Sequence, residues 1–141
     1  MGRIAPLALG LLVLIAASCG GRSTPPASAP SLIAFVMVQD AGTGGALEIS
    51  TPDQIDLLAP GPPAAIETAR TAVARTRSPD VRIFAFVRAG CQNDGATIAV
   101  ESTRITATLT GGEGAACYVP EWYLAVFAVP APLVRPGASA G

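Results

Sequence analysis

Few residues in this chain of 141 can do covalent chemistry. There are three cysteines, Cys19, Cys91 and Cys117. The nine basic residues are all arginine, and there is no lysine and no histidine. Without histidine, no His–Ser or His–Cys nucleophile pair and no His-ligated metal can be assembled. Without lysine, Schiff-base chemistry and a phosphate-loop lysine are excluded. Ten acids remain, enough for a paired-carboxylate hydrolase if two of them face one cleft. Most stand at turns, caps or exposed strand positions. Asn93, Asp94 and Glu113 could offer oxygen ligands to calcium, but their spacing follows no established calcium loop. A redox-active pair is expected as Cys-x-x-Cys at a helix start, and Cys91 and Cys117 are far too widely spaced. The composition therefore points to a protein that is not an enzyme and uses no cofactor or metal. Near-neutral charge, -1 overall, argues against a nucleic-acid partner.

The first eighteen residues read as an address. Arg3 supplies the charge, Ile4 to Ile15 is almost wholly apolar, and Ala16, Ala17 and Ser18 are small. That is the pattern of a cleaved secretory signal. The apolar stretch stops at Cys19, short of the roughly 20 residues of a membrane-spanning helix. The segment Leu14-Ile15-Ala16-Ala17-Ser18-Cys19 resembles the bacterial lipobox, with Ala16 where that family usually has leucine. The resemblance implies that Cys19 becomes the first mature residue and carries a diacylglyceryl thioether. Two acyl chains hold a protein at a membrane stably where one does so marginally. Residues 19–31 are rich in Gly, Pro and Ser and form the expected tether. The implied location is extracytoplasmic, on a bacterial cell membrane or outer membrane.

With Cys19 assigned to the lipid, Cys91 and Cys117 are left in an oxidising compartment, where they are expected to pair. The bridge would close a loop of about 27 residues, worth roughly 3.5 kcal/mol in the loop-entropy picture.

A single globular domain is expected over 32–130, followed by a flexible tail over 131–141. Three segments are apolar on both faces and predict buried strands: Leu32 to Gln39, Val81 to Ala89 and Trp122 to Val129. Ala46 to Ser50 predicts a short strand, joined to the first by a hairpin loop over Asp40 to Gly45. That glycine-rich loop could cradle a phosphate only if a helix followed it, and a strand follows. Thr51-Pro52-Asp53-Gln54 is a helix-start signature. A second helix is expected over 64–77, with Ile66, Ala69 and Val73 on one face. Glu67 is expected in its first turn and Arg75 and Arg77 in its last. Arg70, Arg75 and Arg77 could form an anion patch, or simply a solvated face. Thr97 to Glu101 and Arg104 to Thr110 predict a half-buried hairpin.

Strands buried on both faces need cover on both sides. The helices at 51–77 can cover one; the hairpin at 97–110, or a partner, must cover the other. The expected fold is α+β with a mainly antiparallel β-sheet and one or two helices. The alternative is an immunoglobulin-like β-sandwich in which 64–77 is not helical. The order of elements over roughly 51–130 resembles that of small PrcB-type domains of bacterial envelope proteins. That resemblance implies a domain that stabilises an envelope protease by binding it, and it carries no site residues across. Tyr118, Trp122 and Tyr123 lie near the disulfide. They predict either core packing or an aromatic binding patch for a peptide or glycan.

The expected function is a lipid-anchored bacterial envelope lipoprotein of binding or structural type, held to the membrane and meeting an envelope protein or wall component. The alternatives are an accessory or inhibitory subunit of an envelope protease and a carboxylate-based wall hydrolase.

Overall fold

The computed structural model describes residues 29–39 and 44–141. The expected signal, the lipid-bearing Cys19 and most of the tether lie outside the described residues, as does 40–43 of the glycine-rich turn.

Four strands form the main sheet: β1 (Ser31–Val38), β2 (Gly45–Ile49), β3 (Val81–Gly90) and β6 (Glu121–Pro130), in the order β1-β6-β3-β2. Every pairing in it is antiparallel. A second sheet holds β4 (Gly95–Val100), β5 (Arg104–Thr110) and the two-residue β7 (Ser139–Ala140). A 3₁₀ turn (Pro52–Leu57) and one α-helix, α1 (Pro63–Thr76), complete the main elements.

The three layers follow from the apolar pattern. On β3, Ile83, Ala85 and Val87 face α1, while Phe84 and Phe86 face the second sheet. On β6, Leu124 and Val126 face the helix and Ala125, Phe127 and Val129 face the second sheet. α1 contributes Ile66, Ala69 and Val73, spaced three and four apart, to the first core. The hairpin β4–β5 folds over the other face and contributes Ile105 and Ala107 to the second. The α+β architecture with a mainly antiparallel sheet stands. The immunoglobulin-like alternative does not, because 63–76 is helical.

Four expectations need correcting. β1 and β2 do not form a hairpin; they sit at opposite edges of the sheet. The doubly apolar β3 and β6 bury most by pairing with each other at the centre, which leaves β1 and β2 the outer places. The helix expected after Thr51 is only a 3₁₀ turn, since the prolines at 60, 62 and 63 leave too few residues for an α-helix. Its start signature is nonetheless used: Gln54 Oε1 accepts from the N–H groups of Ser50 and Thr51, at 2.6 and 3.0 Å. Glu67 falls beyond the first turn of α1, which begins at Pro63. Lastly, 131–141 is packed rather than loose. β7 pairs parallel with β5, and Val134 and Ala138 are buried in the second core. Single apolar residues in a Pro/Gly/Ala context suffice because the mouth between the sheets is already apolar.

Candidate functional site

The expected disulfide joins Cys91 and Cys117, with Cα atoms 5.9 Å apart. It ties the end of β3 to the loop before β6. Around it a corner is built largely from hydrogen bonds. Asn93 is its hub. Its Oδ1 accepts from the Cys91 N–H at 2.7 Å, and its Nδ2 donates to the carbonyls of Gly111 (2.6 Å) and Thr110 (3.3 Å). Its own backbone N–H donates to the Tyr123 hydroxyl at 3.1 Å. That hydroxyl donates in turn to the Glu121 carboxylate, which also accepts from the Gln92 N–H at 2.8 Å. Gln92 holds φ 53°, a left-handed conformation unusual for a side-chain-bearing residue. Its bond to Glu121 helps to hold it there.

The same bonds set the electrostatics. The Tyr123 hydroxyl, and then the Gln92 N–H, hold the Glu121 carboxyl below its ordinary range. Burial, reinforced by Glu121, pushes the Tyr123 phenol above its own. Gly111 and Gly112 let the facing loop approach. Both have positive φ, and a Cβ on Gly112 would fall 2.0 Å from the Cys91 carbonyl oxygen.

The three aromatic residues do not make one patch. Strand alternation puts Trp122 on the helix side, against the first core. Tyr123 points the other way and stacks on Phe35, with ring centroids 5.1 Å apart. Tyr118 is fully exposed, and the adjoining Val119 is 76% exposed. The displayed surface is therefore a loop tip, Tyr118–Val119, fixed at its base by Cys117.

The three residues weighed and set aside as calcium ligands do come together. Asn93, Asp94 and Glu113 all approach Gly111, with the Gly111 N–H donating to Glu113 Oε1 at 3.1 Å. Each of these contacts is to backbone, and the Asn93 amide offers its donor side to the carbonyls. Among the described residues no group of three or more acidic, cysteine or histidine side chains could hold a metal.

The arginines are distributed differently from an anion patch. Arg70 is engaged by Asp56 and lies 3.7 Å from Glu67, while Arg75 and Arg77 are exposed. Arg82 grips Glu48 with two bonds of 2.7 and 2.6 Å, and its guanidinium lies over the Phe84 ring. Arg88 lies over Phe86 and donates to the carbonyls of Gly45, Val87 and Gly141. A groove of about 500 Å³ beside Glu48 and Arg82 is lined also by Arg77 and Ser78, but its best-placed cation is already paired with Glu48.

Sequence reasoning found the disulfide; of the three aromatic residues weighed together, Trp122 and Tyr123 pack inward and Tyr118 is exposed. It did not assign roles to Gln92 or Glu121, nor the hub role to Asn93. The paired glycines at 111 and 112 opposite a Cys-Gln-Asn-Asp turn were the available signal. No family model, curated protein or solved structure matches the chain. Among the described residues no helix is long and apolar enough to cross a membrane.

Proposed function

We propose that the chain is a lipid-anchored envelope protein of non-enzymatic binding type, acting outside the cytoplasm, whose contact with a partner protein is made by the Tyr118–Val119 tip. One observation supports the binding half above all others. A tyrosine with its whole side chain in solvent stands on a loop pinned by a disulfide and backed by a hydrogen-bonded hub. Rigid aromatic side chains presented at little entropic cost are typical interface anchors. The anchoring half rests on the lipobox-like segment ending at Cys19. Residues 19–31 would give the domain room to meet its partner away from the headgroups.

Both halves can be tested in one bacterial host expressing the full chain. Labelling with an alkyne fatty acid is expected to mark the wild-type protein and leave Cys19→Ser unmarked and released from the membrane fraction. Equal labelling of the two would overturn the anchor. In parallel, Tyr118→Ala is expected to lower recovery of a co-purifying envelope protein by at least about tenfold, the effect of a 1.4 kcal/mol contact. Unchanged recovery would remove the tip from the reading.

A further inference from the structure

β1 is an edge strand: β6 takes one side, and among the described residues no strand takes the other. Such an edge presents unpaired N–H and C=O groups, and soluble proteins usually blunt it with charge or proline. β1 reads SLIAFVMV, with neither. The opposite edge, β2, is shorter and carries Glu48 in its ion pair with Arg82. β4, the outer strand of the second sheet, lies beside β1 and is also uncharged. One side of the molecule is thus free of charge on both of its strand edges.

A β-bulge adds a specific pattern to that edge. The register passes from Leu32 opposite Phe127 to Ala34 opposite Val126, leaving Ile33 over. The shift brings Leu32 onto the same face of β1 as Phe35 and Met37, which sit opposite Ala125 and Tyr123. Leu32 and Met37 are the two large apolar side chains of the strand left exposed, at 38% and 56%.

We propose that β1 pairs antiparallel with β1 of a second copy, about a two-fold axis at Phe35, joining two four-stranded sheets into one of eight. In this register each Phe35 faces its symmetry mate and Val36 faces the partner's Ala34. Met37 then faces the partner's Leu32, with Ile33 passed over by the bulge. Directly opposite side chains share a face, so both exposed apolar residues of each copy are covered by the other. A two-fold axis requires this self-complementarity, and the bulge supplies it. The chain's own preceding segment is a poor rival for the edge, because Pro25, Pro26 and Pro30 lack the N–H a ladder needs. The inference does not depend on Tyr118 or on the anchor.

The test uses full-length chains carrying two different tags, co-expressed in one bacterial host. One carries Leu32→Cys and the other Met37→Cys, and the whole-cell lysate is treated with copper phenanthroline. Directly opposed strand positions lie about 5 Å apart at Cβ, near the reach of a disulfide. A mixed-tag covalent dimer is expected, about tenfold or more above a Glu67→Cys and Met37→Cys control pair. No cross-link, or one no stronger than the control, would overturn the pairing. Wild-type chains of the two tags are also expected to co-purify, and Met37→Lys in both to cut recovery about tenfold while the circular dichroism of the folded chain stays the same. Met37 is exposed, so the lysine does not disturb the core. Undiminished co-purification of Met37→Lys would equally overturn the proposal.

Discussion

The centre of the main sheet and the corner at the disulfide are held by different forces. At the centre, Phe84, Phe86, Leu124, Val126 and Val129 are wholly buried, and both layers pack on them. Their stability is apolar area removed from water. At the corner the Tyr123 ring is buried against Phe35, but directional bonds do most of the holding. One covalent bridge, one asparagine and a Tyr–Glu pair hold the chain, and glycines let the backbones approach. A corner built mainly from directional bonds need not bury every aromatic residue. It can therefore leave Tyr118 in solvent on a fixed base, which the centre could not do.

Mutations should separate the two regions, and the largest effect is expected at the centre. Phe84→Ala empties a fully buried site and is expected to cost about 3–5 kcal/mol in chemical denaturation. A cost under about 1 kcal/mol would mean the core collapses freely. The double variant Cys91→Ser, Cys117→Ser is expected to cost up to about 3.5 kcal/mol, mostly by freeing the unfolded chain. Its native-state hydrogen exchange should rise over 91–94 and 111–120 by local opening, beyond the uniform increase that the lower global stability imposes on β3 and β6. Exchange at the corner no faster than that uniform increase would show that the bridge does not hold the corner locally. Asn93→Ala leaves several backbone groups without partners and is expected to cost about 1–3 kcal/mol.

A pH titration gives a smaller effect with a defined sign. The bidentate Arg82 bond holds the Glu48 carboxyl below its ordinary 4.5. A carboxylate with a depressed folded pKa adds stability above its unfolded pKa, and that stability is lost as pH falls through the folded value. Glu48 is partly exposed, so the loss is expected to stay under about 1 kcal/mol. It should vanish in Glu48→Gln. Tyr123 works in the opposite sense: its raised pKa means a contribution fully present below pH 10 and lost as pH climbs beyond it. The smallest effect on stability is expected from Tyr118→Ala, within about 0.5 kcal/mol, because the side chain touches solvent alone.

The layers were legible because a strand apolar on both faces must be covered on both. That requirement called for the helices on one side and, on the other, either the hairpin at 97–110 or a partner; the hairpin β4–β5 fills that place. The requirement could not tell edge from centre. β1 is apolar on both faces yet has one strand neighbour among the described residues, since side-chain pattern reports what lies above and below a strand, not what lies beside it. The same gap misplaced β2, expected as the hairpin partner of β1 and found at the far edge. The 131–141 segment was illegible for another reason. Two buried residues, Val134 and Ala138, and a two-residue strand carry no period. At the corner, cysteine pairing was readable from the count and from the compartment that the leader-like first residues led us to expect. Asn93 bridging to Gly111 and Tyr123 joining Glu121 to a distant backbone N–H were not, because hydrogen bonds across such separations leave no spacing rule in the chain.

The central claim is that the corner is rigid in order to present Tyr118 to a partner. Its most direct test replaces Tyr118 with a photo-reactive phenylalanine analogue in the full-length chain and irradiates intact cells. The expected result is a discrete cross-linked protein, absent when the analogue stands at Glu67 on α1 and reduced when Cys91 and Cys117 are both serine. The same products from both positions, or none from 118, would contradict it.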